Sequence, residues 1–165
     1  MSELEIRPVA PEDRPWVKEF SVGRWGAEII VVHGTVHRPH ELPGFLAMLR
    51  GQDARDDKIG LLTYEIRDGA CEIVTLDSIQ PGIGVGSALV QAVNTAARQS
   101  GCRRVWLVTT NDNLHALGFY QRRGFAIVAV YPEAVEHARR LKPHIPRVGQ
   151  RGIPIRDELE LEMIV

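Results

Sequence analysis

The chain has 165 residues, 44% hydrophobic and 25% charged, enough for one buried core over residues 1–165. Its 20 Lys+Arg against 21 Asp+Glu leave a net charge of −1, which excludes the broad positive field that nucleic-acid backbones demand. Two cysteines, Cys71 and Cys102, exclude a disulfide framework and read as core thiols of a reducing compartment. The opening residues lack a basic-then-apolar leader, and no run approaches the roughly 20 apolar residues of a membrane span, so a cytoplasmic location without a membrane partner is expected.

Leu4 to Pro8 alternates as a short strand, and Pro11-Glu12-Asp13 places a proline and two acids where helices begin, predicting a helix to about Arg24. Ile29 to Val32 reads as a strand, whereas Leu42 to Leu49 fits helix or strand equally. Ile59 to Ile66, the turn signal Asp68-Gly69 and Cys71 to Leu76 predict an antiparallel pair. A glycine turn over Pro81 to Gly86 follows; Ser87 is the expected cap of a helix burying Leu89, Val90, Val93 and Ala97 and ending near Gly101.

Val105 to Thr109 reads as a strand buried on both sides. A helix is predicted over Asn113 to Arg123, closed by Gly124, then a strand over Phe125 to Val130. Pro132 to Leu141 looks helical with Ala134, Ala138 and Leu141 inward, and Arg139 to Arg156 reads as a long basic loop. Leu159, Leu161 and Met163 alternate with Glu158, Glu160 and Glu162, predicting a half-exposed last strand. The fold class expected is α/β (α+β), a mixed central sheet flanked by helices.

Two motifs carry chemistry. Pro81-Gly82-Ile83-Gly84-Val85-Gly86-Ser87 joins a strand to a helix, so backbone N–H groups at the positive end of a helix dipole could cradle a pyrophosphate. Its G-x-G-x-G spacing departs from the G-x-G-x-x-G of dinucleotide folds, and no such unit opens the chain, which disfavours a nicotinamide-dependent oxidoreductase. The second motif, Asn113-x-x-Ala116-x-x-x-Tyr120-x-x-x-Gly124-Phe125, sets an asparagine and a phenol on one helix face.

In this order, over about residues 58 to 130, the motifs resemble the acetyl-CoA half of the GNAT N-acetyltransferases. The resemblance implies a splayed cleft holding acetyl-CoA as co-substrate. Backbone N–H groups of Gly84, Val85, Gly86 and Ser87 would take the pyrophosphate, and Leu76, Asp77 and Ser78 the pantetheine arm, mostly through backbone. Asn113 would contact the cofactor, and Tyr120 would lie near its sulfur. The family commonly places Gln or Arg three residues before the first glycine of its G-x-G pair, here Gly84, where this chain has Pro81 and, one position early, Gln80.

The chemistry expected is acetyl transfer to an amine acceptor, with Tyr120 protonating the leaving thiolate and an N–H near Leu76 meeting the oxyanion. Glu72 is the candidate base, since alternation puts it on the face of Val74 and Leu76; Asp77, Glu28 and a water chain are alternatives. Glu72 meets the family's strand glutamate only with a gap, Ala70 standing there without one. His33, His37 and His40 fit no standard metal spacing, so no metal is expected. Arg139, Arg140, Lys142, Arg147 and Arg151 suit a phosphate contact or a solvated face. Transfer of another acyl group and a non-catalytic CoA-binding domain are the rival readings. The sequence leaves open which amine is the acceptor, small molecule or protein, and whether the chain forms a homodimer.

Overall fold

The computed structural model describes residues 3–51 and 55–165. β1 (Glu3–Pro8) leads through a 3-10 turn into α1 (Arg14–Trp25), which Gly26 ends at φ 75°, a left-handed value that glycine adopts without cost. β2 (Ile30–Val32) and β3 (Thr35–His37) form a hairpin of their own around His33-Gly34, both at positive φ. The segment that fitted helix or strand is β4 (Gly44–Arg50); pairing with a neighbour on each side decided it. Then come β5 (Asp56–Arg67), β6 (Ala70–Ser78), α2 (Val85–Gln99), β7 (Arg104–Thr110), α3 (Leu114–Gln121), β8 (Ala126–Tyr131), α4 (Ala134–Leu141) and β9 (Glu158–Ile164).

These make a mixed seven-stranded sheet in the order β1-β4-β5-β6-β7-β9-β8, flanked by four helices. α1 covers one face, Val17 packing on Leu46, Met48 and Leu61, while α2 buries Leu89, Val93 and Ala97 against Ala47, Leu62, Ile73 and Val105 on the other. Both cysteines are free and buried, and burial pushes the Cys71 thiol up to about 12, as expected of inert core thiols.

Several expectations need correction. β9 lies between β7 and β8, and its expected alternation of exposure is blurred: Glu158 and Leu161 are buried, the residues from Leu159 to Met163 around them are partly covered, and Ile164 is exposed. β7 buries Val105 and Leu107 fully on one face only, because its other face borders cavities. α4 turns Val135, Ala138 and Arg139 inward, with Leu141 55% exposed. Arg139 and Lys142 are therefore not solvated: Arg139 donates to the carbonyls of Ile145, Pro146 and Ile155, and Lys142 Nζ to those of Trp25 (3.0 Å) and Ile29 (3.3 Å). They fasten the long loop, satisfying buried carbonyls that an apolar residue would leave unpaired.

The parallel pair β6–β7 holds register only over Ala70–Glu72 against Arg104–Trp106. Beyond it the strands part, and β6 runs on to Ser78 without a partner on that side. The parting opens the main cleft at the carboxyl ends of adjacent parallel strands, where open α/β sheets place their ligands.

Candidate active site

The main chain of β6 is oriented by its pairing with β5. Ile79 N–H donates to Ile59 O at 2.8 Å, so the period-2 alternation turns the amide groups of Asp77 toward β5 and those of Leu76 and Ser78 into the cleft. Two residues thus offer unpaired backbone groups there, while Asp77 contributes its side chain, which accepts from Arg24 Nε (3.0 Å) and Trp25 Nε1 (3.3 Å) at the end of α1. Burial holds that carboxyl above its ordinary range, with Arg24 opposing the rise.

At the end of β6 the glycine turn feeds α2. The helix cap is Gly84, at φ 79°, and not Ser87, which lies in the first turn. The first helical hydrogen bond is Ala88 N–H to Gly84 O at 3.0 Å, so the N–H groups of Val85, Gly86 and Ser87 have no helical acceptor. Gly86 is required by a neighbour: a Cβ there would stand 2.9 Å from the ring of Phe119 on α3.

Ser87 Oγ accepts from Arg123 Nε (3.0 Å) and Nη2 (2.7 Å), and the guanidinium lies 3.5 Å over Phe119. A cation beside the positive end of a helix is unfavourable on its own account and becomes favourable once an anion arrives. Arg123 thus places a basic group beside the helix start, where Pro81 offers none. No local pattern marks it, since an arginine at a helix C-terminus is explained by that helix's own dipole.

Across the cleft, Asn113 caps α3, its Oδ1 accepting from Ala116 N–H (3.2 Å) while Nδ2 donates to Thr109 Oγ1 (3.2 Å). Tyr120 is 6% exposed, packed edge-on against Phe119 and Phe125, and its hydroxyl has no hydrogen-bond partner among the described residues. Burial, then the charge of Asp77, raises the phenol well above its ordinary value. Leu76, Asp77, Ser78, Gly86, Asn113 and Tyr120 line one cavity of about 490 Å³, with Gly84, Val85 and Ser87 beside Gly86 at its rim.

Glu72 does not line that cavity. The β5–β6 register shifts between Thr63/Tyr64, so Val74 is an extra residue and the alternation is interrupted. Leu76 consequently turns to the α2 core with Ile73 and Cys71, while Glu72 lies on the α1 face beneath His37 of the hairpin. There it borders a cavity of about 590 Å³ shared with Glu65, Arg104 and Trp106. Burial, then the Glu65 charge, pushes its carboxyl up to about 7, and burial lowers the His37 imidazole. Glu28 is exposed and pairs with Lys18 (3.2 Å) and Arg38, away from the cleft.

The three histidines do not converge. His33 packs on Tyr131 (4.2 Å between rings) and His40 approaches Glu41 (3.9 Å). His37 stands between Glu65 (3.6 Å) and Glu72 (3.8 Å), and these three bring ligand atoms within 4.8 Å of one another. That set is one ligand short of a closed tetrahedral zinc site.

A sheet parted beside an unpaired glycine-rich helix start is an arrangement that can be compared with known families. The sequence profile of the Acetyltransferase (GNAT) family matches residues 13–125. The chain belongs to the GNAT acetyltransferase family. It is 42% identical over 147 residues to the uncharacterized protein YdhI of Bacillus subtilis (strain 168), spanning 89% of each chain. Its fold matches an IAA acetyltransferase from Bacillus cereus ATCC 14579 with a TM-score of 0.70 at 19% identity, over 99% of this chain and 100% of that one. It also matches NAA60 of Arabidopsis thaliana in complex with acetyl-CoA with a TM-score of 0.72 at 16% identity, over 99% and 100% of the chains. No helix of this GNAT chain is, among the described residues, long and apolar enough to cross a membrane.

Proposed function

We propose that this chain is an acetyl-CoA-dependent N-acetyltransferase acting as one domain over residues 1–165 in the cytoplasm. The carrying observation is the free donor set at the start of α2, three unpaired N–H groups with Arg123 alongside, at the end of a strand whose backbone faces an open cleft. That set suits a pyrophosphate, and Leu76 and Ser78 suit the amide-bearing pantetheine arm. Acetyl-CoA would bring the activated thioester; the residues bind it, exclude water and move protons.

The amine attacks the thioester carbonyl, and the oxyanion accepts from the Leu76 N–H. Glu72, which lines a separate cavity and not the cleft, takes the amine proton through a chain of solvent molecules. The C–S bond breaks as the C–N bond completes, and Tyr120 gives its proton to the thiolate and regains one from solvent. Atoms balance as amide plus free thiol. Its raised pKa keeps the Tyr120 phenol protonated across the working pH range, so it is a constant donor.

Calorimetric titration tests the binding step. Acetyl-CoA should bind saturably and NADH should give no response; absence of acetyl-CoA binding would overturn the reading. Arg123→Gln should weaken acetyl-CoA by about tenfold, as the loss of a charge-assisted contact does, with a shallower salt dependence. An unchanged dissociation constant would remove Arg123 from the phosphate site. Tyr120→Phe keeps the aromatic packing and should lower kcat by about 10²-fold with little change in acetyl-CoA affinity. Unchanged turnover would end the donor role.

A further inference from the structure

A second cavity of about 370 Å³ adjoins the cleft on the α1 face, sharing Trp25, Val74, Val108, Thr109, Asn113 and Gln150 with it. Its walls are largely apolar: Ile30 and Val32 of the hairpin, Val74 and Val108 of the parted strands, Val135 of α4 and Ile155 of the long loop. Such a volume is at the lower end of the ~300–1,000 Å³ typical of small-ligand sites.

The charged groups along its lining are unequal. Lys142 is committed to two carbonyls, and Asp112 accepts from Thr110 Oγ1 and from the Gln150 N–H (3.2 Å). Glu158 differs. It is 5% exposed, accepts one hydrogen bond, from the His33 N–H to Oε2 (3.0 Å), and has the imidazoles of His33 and His137 as its nearest basic groups, with no Lys or Arg nitrogen in ion-pair reach among the described residues. The neighbouring acids on its strand are occupied: Glu160 by Tyr131 and Arg104, Glu162 by Arg104. A buried carboxylate without a cation is costly, and an arriving ammonium relieves that cost.

Resting on the acetyltransferase reading above, we infer that the acceptor is a primary amine carried on a compact apolar body, drawn into this cavity by Glu158 as an ammonium. Glu158 is a positioning residue: it holds the cation on entry, the ammonium then gives one proton to solvent, and the neutral amine attacks without Glu158 taking part in the bond-forming step. Long polyamines, with several charges and no apolar body, do not suit the walls, and a peptide N-terminus brings polar backbone that the valines leave unpaired.

The test is calorimetry on protein saturated with CoA, so that no transfer occurs, titrated in turn with 2-phenylethylamine, n-hexylamine, 2-phenylethanol, spermidine and alanylalanine. Both apolar amines should bind about tenfold or more tighter than the alcohol, the polyamine and the dipeptide. Glu158→Gln should erase the preference of amine over alcohol and raise KM for the amine, leaving acetyl-CoA affinity and kcat at saturating amine nearly unchanged. Equal binding of amine and alcohol, tightest binding of spermidine or of the dipeptide, or an unaltered preference in Glu158→Gln would each overturn the inference. If that variant melts early, the amine and alcohol titrations of the native protein decide alone. Failure of CoA itself to bind sinks the acetyltransferase reading instead, and the same amines titrated into the unliganded protein still report on the cavity.

Discussion

Glu72→Gln is expected to lower turnover at pH 8 by about 10²-fold or more, the usual size of a lost general base, and to flatten the rise of kcat with pH around neutrality. Burial beside Glu65 lifts the carboxyl from 4.5 to about 7, so it is a carboxylate, able to take a proton, only above that value. Stability should move the other way. Between its unfolded value near 4.5 and its folded value near 7 the folded chain binds more protons than the unfolded one, so this group's contribution falls as pH rises through that window. At pH 8 the native protein therefore bears the cost of a buried charge, and the neutral glutamine should raise the melting temperature there. A slower but more stable variant is the expected result, measured by a pH–rate profile and a thermal melt at pH 5 and pH 8. A profile that keeps its rise in Glu72→Gln would assign the base elsewhere.

Gly86→Val should abolish measurable acetyl-CoA binding, a loss of about 10²-fold or more, while costing about 1–3 kcal/mol of stability, the usual range for overpacking. A Cβ at this position would be 2.9 Å from Phe119, and valine adds two methyl groups beyond it. Phe119 must move, taking with it the Arg123 guanidinium stacked 3.5 Å above its ring and the two bonds from Arg123 to Ser87. Gly23→Ala is the matched control, a helical glycine with open space around it, where alanine improves helix propensity and should leave binding intact. Calorimetry on both variants, with melts to confirm folding, separates a local effect on the cradle from general damage. Wild-type affinity in Gly86→Val would show that the turn has no part in holding the cofactor.

The arrangement of the proposed cofactor site was legible because its signals are local. A glycine turn between strand and helix, and an asparagine seven residues before a tyrosine, sit at fixed spacing whatever surrounds them. The register of β6 was not legible, since an extra residue such as Val74 leaves no mark in the pattern of apolar and polar residues. That one residue carries Leu76 to the α2 side and leaves Glu72 on the opposite face, beside a cavity separate from the cleft. The burial of Arg139, Lys142 and Glu158 was equally hidden: a charged residue reads as solvated unless its partners are known, and these partners are carbonyls of an irregular loop for Arg139 and backbone groups far along the chain for Lys142 and Glu158. The hairpin at His33-Gly34 could have been found, because a glycine between two β-branched runs is a turn signal in its own right.

That hairpin has no strand pairing with the seven-stranded sheet, and meets it through side chains and the single bond from the His33 N–H to Glu158. It nevertheless supplies Ile30, Val31 and Val32 to the wall of the smaller cavity and His37 to the roof over Glu72. Residues 30–37 thus form an interchangeable cassette. Substitutions within them can reshape what the enzyme accepts without altering a single hydrogen bond of the main sheet or of the phosphate cradle, so acceptor choice and cofactor chemistry are free to diverge separately in descendants of this chain.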